Sequence, residues 1–447
     1  MKKNNITSTV NNRLCNSCGA CFAACPTGAI EFRETVGGHL FPTIDEEKCI
    51  HCGRCYAICP GRGLGKAATE KLPGDPFAGG IRQAFVGRAN DAVIFNNSQS
   101  GGIATALLDS LLSAGEIDGA FTAIMRRGPS PCGIPAVVSS PQELPETQKS
   151  KYIPIPLLKE IPSILNQEGS YAFVGLPCHM HGLHNLFTLY PELKRKIVVK
   201  IGLVCERVLS LAILGYFSSL VSFSNLVFLT FKDKQRPSYP GNVVVESDDG
   251  RLRILDSSVR MAAKDFFTPP RCRLCFDKLN TLSDIVVGDP HGITGVNRTE
   301  GESLVLLRTE TGEEYFNRAV EENVVTVREI GVQEAVAGQG IEGKRPEWNA
   351  YCSLWDGMGR TLPVFPDSVT LASHKAADRV VQKCRANIKL ALDLDDYPSR
   401  EALVEAAVVW ARKKKMAGYL FFPARAFRRL IGRMKRAIMK CGGTKRC

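Results

Sequence analysis

Apolar positions change their period several times along this chain. Between about residues 81 and 335 short apolar runs alternate with a longer helical pattern. AFVGRAN and GAFTAIM read as strands. Between them GGIATALLDSLLSAGE reads as a helix, with Ile103, Leu107, Leu108, Leu111 and Leu112 on one broad face and Gly115 near its end. YAFVG (171–175), KIVVKIGLVC (196–205) and LSDIVVGD are apolar runs of the kind that fill buried strands. GNVVVESDDGRLRILDS reads as a hairpin turning at Asp249-Gly250. The alternation predicts an α/β core with a mixed sheet. From about 345 onward the strand pattern stops. AADRVVQKCRANIKLALDL, REALVEAAVVWARKKK and FPARAFRRLIGRMKRAIMKC then read as helices. GRGLGKAATEKLPGDPFAGG, just before the core, is rich in Gly and Pro and reads as a linker.

Composition refines this outline in two ways. Seventeen cysteines, with no apolar leader in MKKNNITSTV, point to a reducing cytoplasm and to metal ligands. The net charge of +12 belongs to the end of the chain: residues 412–447 hold thirteen Lys or Arg and no acid, and the preceding 411 residues sum to −1. The basic balance is therefore no sign of nucleic-acid binding by the core, and no nucleic-acid partner is expected. No run of eighteen apolar residues predicts a membrane span.

The first sixty residues carry the least ambiguous chemistry. CNSCGACFAACP places Cys15, Cys18, Cys21 and Cys25, and CIHCGRCYAICP places Cys49, Cys52, Cys55 and Cys59. Each run ends in proline, as in two-cluster bacterial ferredoxins, where the fourth thiolate of each run reaches the other cube. The expected ligand sets are Cys15, Cys18, Cys21 and Cys59 for one 4Fe–4S cluster, and Cys49, Cys52, Cys55 and Cys25 for the second. Structural zinc, the competing reading, uses paired CxxC units rather than two four-cysteine runs.

Four more cysteines stand at telling places. Cys178 follows a strand in VGLPCHMHG, Cys205 ends another in IGLVCERV, and Cys272 and Cys275 form a CxxC in PPRCRLCFDKL. Loops beyond the carboxyl ends of strands are where open α/β sheets bind ligands. Four thiolates are what a cube requires. Isolated cysteines are equally often small buried hydrophobes, so spacing alone leaves both readings open.

The ordered set SQSGGIATALLDSLLSAGEIDGA, SKYIP, VGLPCHMHGL, IGLVC and RCRLCFDKLNTLSDIVVGD resembles the family of coenzyme F-420 hydrogenase/dehydrogenase beta subunits. The resemblance implies that Cys178, Cys205, Cys272 and Cys275 hold a third 4Fe–4S cluster beside FAD. It implies a flavin site at Ser100, Gly101 and Gly102, which lead into a helix, and at Ser150, Lys151 and Tyr152. At the first motif small residues would admit a pyrophosphate to the helix N-terminus, although an ordinary N-cap turn looks the same. Lys151 would offset negative charge and Tyr152 would pack on a ring. His179 stands where the family has glutamine, and with His181 and His184 it reads as a satisfied or solvated histidine. Asp289 lines the pocket or makes the GDP turn. No GxGxxG follows a strand, so no Rossmann NAD site is expected.

The expected architecture is a mixed-sheet α/β flavoprotein core (81–344) with an N-terminal α+β ferredoxin-like domain (1–62), a linker (63–80) and a helical extension (345–447). The expected function is an iron–sulfur flavoprotein oxidoreductase that passes electrons between a hydride-carrying small molecule, reduced coenzyme F-420 first, and 4Fe–4S clusters by way of FAD. The alternatives are a ferredoxin-fed reductase of another organic substrate, for example in cell-surface polysaccharide metabolism, and a non-catalytic electron-transfer subunit. All three imply an electron-transfer partner protein. The last helix sets Phe427, Leu430, Ile431, Met434, Ile438 and Cys441 against a basic face. That pattern suits a peripheral contact with the inner face of a membrane, and equally a helix packed on its own core or on a partner.

Overall fold

The computed structural model describes residues 4–64, 74–221, 225–236, 239–366, 369 and 376–420. The core is an eight-stranded mixed sheet in the order β13-β3-β12-β11-β7-β6-β4-β5. Its strands are β3 (Gln83–Ala89), β4 (Gly119–Arg126), β5 (Cys132–Val138), β6 (Tyr171–Gly175), β7 (Ile197–Leu203), β11 (Ile285–Gly288), β12 (Ser303–Leu307) and β13 (Val325–Ile330). The central strands β11, β7, β6 and β4 run parallel, and the flanking pairs are antiparallel. Period-2 alternation decides what each face buries. Leu304, Leu306, Phe173 and Val86 face one apolar cluster. Val305, Leu307, Ala172 and Phe85 face the other.

The helix Ile103–Ser113 covers the second face, burying Ile103, Leu107, Leu108, Leu111 and Leu112, the stripe read from the sequence, together with Ala106. The helix Pro177–Leu189 covers the first with Met180, Leu183 and Leu186. A smaller sheet, β10-β9-β8, is built from β8 (Leu226–Asp233), β9 (Asn242–Ser247) and β10 (Leu252–Leu255). Its β9–β10 hairpin turns at Gly250, which has φ 78°. Phe217, Phe231 and Phe267 pack this sheet against Leu403 and Ala407 of the helix Arg400–Leu420.

The N-terminal module carries the antiparallel pair β1 (Ile30–Glu34) and β2 (Leu40–Ile44). Leu14, Cys18, Ala20 and Ala23 belong to the same apolar cluster as Met180 and Leu183 of the core. Phe77 and Ala78, within the Gly/Pro-rich stretch, are buried in that cluster too, with Phe77 edge-on to Trp348 and Phe276. The C-terminal helices reach back to the same module. The Asp395 carboxylate accepts from the Thr35 hydroxyl at 2.5 Å and the Gly37 amide at 2.9 Å. It also meets His39 Nδ1 at 3.1 Å and pairs with Arg13. Arg400 donates to the carbonyls of Val36 and Thr35. The turn between β1 and β2 is thus held by residues from the other end of the chain. Among the described residues no helix is long and apolar enough to cross a membrane. The predicted last helix lies outside the described residues.

Candidate metal centre and adjoining cleft

The two ferredoxin-like runs build matching local geometry. Ser17 and His51 have φ near 56° and 51°, and Gly19 and Gly53, two positions on, have φ 93° and 76°. This repeated left-handed pair curls the backbone and starts the short helices Ala20–Ala23 and Arg54–Ala57, which carry Cys21 and Cys55. The thiols sort crosswise between the two runs. Burial raises Cys18 and Cys21, and the nearby charges of Cys15 and Cys59 raise them further. Cys15 is pushed up to about 12 by burial and by Cys59. Cys25, Cys49, Cys52 and Cys55 line one cavity. Cys55 is raised by burial and by Cys25 and Cys52, and Cys55 also acts on Cys21, so the two sites are neighbours. The first set is wholly buried, while Cys25, Cys49 and Cys52 are only half-buried. One site therefore faces inward and the other outward.

The sheet assembles the four remaining thiols. β6 ends at Gly175 and the next helix begins at Pro177, which puts Cys178 in its first turn. β7, parallel to β6, ends at Leu203, and Cys205 follows it. The Cys205 amide donates to the Lys278 carbonyl at 3.0 Å, tying this end to the CxxC segment. Cys272 lies in the short helix Pro270–Arg273, and Cys275 follows it. Burial raises Cys178, and the charges of Cys18, Cys205, Cys272 and Cys275 raise it further. Cys205 responds in the same way to Cys272 and Cys275. The pair at 272 and 275 thus converges with Cys178 and Cys205. The effect of Cys18 sets this group beside the inward ferredoxin-like site.

Four cysteines at each place match in number and type the donor set that a 4Fe–4S cube requires. Burial opposes a bare thiolate, so an anionic sulfur there requires a cationic core among the thiols. On both counts the residues fit the group.

The three histidines beside Cys178 have structural partners. His179 accepts from the Leu176 amide at its Nδ1 (3.2 Å), which leaves Nε2–H to donate to the Ile155 carbonyl at 3.0 Å. Burial lowers His179 to about 4, so it is neutral. His181 meets buried Asp277 at 2.8 Å, and His184 meets the Leu282 carbonyl at 3.2 Å.

Asp289 leaves β11 at the same edge of the sheet as Cys178 and Cys205. It reaches Lys232 of the smaller sheet, so the two sheets meet here through a polar contact. Burial works against its charge, but Lys232 on β8 more than offsets this and holds the carboxyl below its ordinary value. Gln99 joins the motifs singled out in the sequence: its side chain meets the Ser150 amide at 3.1 Å, Asp289 at 3.4 Å and Tyr152 at 3.5 Å. The Tyr152 ring packs edge-on against Phe231 and lies under Arg260. Ser100 donates to the Glu302 carbonyl and accepts at its own carbonyl from Lys234. Burial, with the Lys149 charge, brings Lys151 down to about 7, and its ammonium donates to the carbonyls of Thr147 and Gln148. Burial brings Lys234 to about 8.

Gly102, at φ 79°, starts the helix Ile103–Ser113. A Cβ on Gly101 would lie 2.3 Å from the Gly87 carbonyl oxygen and 2.6 Å from the Ser303 nitrogen, so the close approach there is to the protein's own strands. Sequence reasoning missed Gln99, Lys232 and Lys234. The first stands directly before SGG, and KDK (232–234) is the signal for the others. Gln339 links the cleft to the cysteines, donating to the Asp289 carbonyl at 2.8 Å and accepting from Lys278 at 2.5 Å.

Family models match this layout. Coenzyme F420 hydrogenase/dehydrogenase, beta subunit N-term, matches residues 84–161, and its C-terminus model matches 169–333. A 4Fe-4S dicluster domain matches 14–62. The chain is 25% identical over 352 residues to a component of the F(420)H(2) dehydrogenase of Methanosarcina mazei, covering 76% of this chain and 92% of that protein. It is 27% identical over 337 residues to coenzyme F420-dependent sulfite reductase of Methanocaldococcus jannaschii, covering 73% of this chain and 49% of the reductase. A chain in the F420-reducing [NiFe] hydrogenase complex from Methanosarcina barkeri aligns with a TM-score of 0.44 at 22% identity, over 61% of this chain and 94% of that one.

Proposed function

The chain belongs to the family of coenzyme F-420 hydrogenase/dehydrogenase beta subunits and carries a 4Fe-4S dicluster domain, and from this premise we propose that it is an iron–sulfur flavoprotein oxidoreductase exchanging electrons between reduced coenzyme F-420 and three 4Fe–4S clusters by way of FAD. The observation that carries the reading is the row of thiol groups. The outward set (Cys25, Cys49, Cys52, Cys55) neighbours the inward set (Cys15, Cys18, Cys21, Cys59). The inward set neighbours Cys178, Cys205, Cys272 and Cys275. The last group lies beyond the same strand ends as Asp289 and the polar side chains around it. When bound, flavin supplies the junction between two-electron and one-electron chemistry, and cubes take electrons singly.

The chain's own residues have the remaining work. Lys151, Lys232 and Lys234 supply positive charge for an anionic cofactor. Tyr152 and Gln99 fix its orientation. The apolar cluster around the inward cysteines excludes water. The half-buried outward set is the side from which an electron-transfer partner protein is reached, in a cytoplasmic protein whose basic tail is its contact with anionic membrane.

One observation favours the second reading, a ferredoxin-fed reductase of another molecule. A small cavity beside Cys272 is lined by Glu206, Arg207 and Arg273 and by Lys344, Glu347, Trp348 and Tyr351. The last four lie beyond the residues that match the family.

Anaerobic purification, cofactor analysis and titration with reduced coenzyme F-420 test the proposal. Bound FAD and bleaching of the cluster absorbance by reduced F-420 are expected. Bound FAD with no response to F-420, but reduction by ferredoxin, selects the second reading. Iron with no flavin affinity leaves only an electron-transfer subunit.

A further inference from the structure

Three arginines act on the Cys272 thiol, and they differ in what balances their charge. Arg207 pairs with Glu206 and Asp265, and Arg273 pairs with Asp265. Arg271 is 5% exposed, and among the described residues no carboxylate stands within ion-pair distance of it. Its Nε donates to the Gly61 carbonyl at 3.0 Å and an Nη to the Pro60 carbonyl at 3.3 Å. Carbonyls contribute dipoles but no charge. A guanidinium does not deprotonate in a protein, and a buried charge without a counter-charge is strongly destabilising. An anion must therefore lie close by.

Chain geometry identifies it. Pro60 and Gly61, which hold the guanidinium, directly follow Cys59, a thiol of the inward ferredoxin-like set. Arg271 itself directly precedes Cys272 of the third set. The guanidinium thus stands between two groups of sulfurs that become anionic when metal is bound.

We infer that Arg271 is the shared counter-cation of the inward ferredoxin cube and the third cube, and that it raises the reduction potential of both. Reduction adds one negative charge to a cube, and a fixed positive charge beside it favours the reduced form. Arg271 acts through the two cubes and touches no substrate, so it is a positioning residue. This assignment rests on the three-cube reading above.

The test is a potentiometric titration followed by electron paramagnetic resonance on anaerobically prepared, full-length protein, with iron counted in each sample. Arg271→Gln is expected to keep its iron. At a fixed potential, the reduced-to-oxidised ratio of the inward cube and of the third cube should each fall at least tenfold, about 59 mV for a one-electron couple. The outward cube should stay within twofold. Arg271→Lys retains the charge and should leave all three close to the unaltered protein. The assignment also stands if Arg271→Gln fails to take up iron while Arg271→Lys loads and titrates normally. It is overturned if the Gln variant loads three cubes with unmoved potentials, if all three cubes shift alike, if Lys shifts them as far as Gln, or if neither variant loads iron. Two cubes in the unaltered protein would instead reject the three-cube reading itself, an outcome seen without any Arg271 variant.

Discussion

The ferredoxin-like module and the third cysteine group gather their sets of four sulfurs by opposite means. In the module the ligand positions lie between Cys15 and Cys59, and a doubled backbone turn at Ser17-Gly19 and His51-Gly53 places them. In the core the four thiols run from Cys178 to Cys275, and the parallel pairing of β6 with β7 and the Cys205–Lys278 hydrogen bond bring them together. The first arrangement is set by local conformation. The second depends on the whole sheet. A site of the first kind is written in spacing, and a site of the second kind exists only once the sheet has formed.

The sharpest way to break this comparison is to remove the distant ligands alone. Cys272→Ser with Cys275→Ser should lower iron from about twelve to about eight atoms per chain and leave the ferredoxin resonances intact. An unchanged iron count would show that these thiols hold no cube.

A smaller but still large effect is expected where the two regions are joined. Asp395→Ala removes a carboxylate shared by His39, Thr35, Gly37 and Arg13. It should cost about 1–3 kcal/mol, as leaving hydrogen-bonding groups without their partner does, and hydrogen exchange should quicken first in β1 and β2. Burial opposes the Asp395 charge, but His39, Thr35 and Arg13 offset it and hold the carboxyl well below the usual range. Its stabilisation is complete above the unfolded value of about 3.9 and is lost as pH falls through the lower folded value. The unaltered protein should lose this share of its stability on acidification, and the Ala variant should not.

A tenfold effect is expected in the cleft. Lys151 carries its charge below about pH 7 and loses it above. Flavin affinity should fall as pH rises through that value, and Lys151→Met should bind roughly tenfold more weakly at pH 6, with no fall between pH 6 and 7. Equilibrium dialysis reads both. Affinity independent of pH in the unaltered protein would remove Lys151 from the site. Gly101 is a poor probe by contrast, because a side chain there meets Gly87 and Ser303 before it meets a ligand.

The smallest effect belongs to the tail. Ending the chain after Leu420 should change stability by no more than about 0.5 kcal/mol and leave iron content unaltered, while abolishing flotation with anionic vesicles at low salt. Flotation that persists would assign membrane contact to residues before 421.

Much of this was legible because the chemistry was local. Crosswise sorting of the eight ferredoxin-like thiols follows from two proline-ended runs. The strands and the buried stripe of Ile103–Ser113 follow from apolar period. Other features hid for physical reasons. β5 contains Gly133 and Pro135, which argue against a strand, yet it forms the sheet edge, where proline is tolerated. Phe77 closes a Gly/Pro-rich stretch that reads as linker, while its ring fills the core beside Trp348. Lys232 and Asp289 are 57 positions apart and on different sheets, so no spacing announces their pairing. His179 interrupts a family motif, and only the fold reveals that the Leu176 amide and the Ile155 carbonyl occupy both its nitrogens.

The Asp395 clasp also sets an order of manufacture. His39 is 3% exposed and meets a carboxylate that the ribosome adds 356 positions later. At about 5–20 residues per second the delay is roughly 20–70 s. The eight thiols of the module leave the exit tunnel long before the residues that lock its hairpin. Iron insertion therefore has a window during synthesis in which the module is complete in sequence but still open, and the last helices close it.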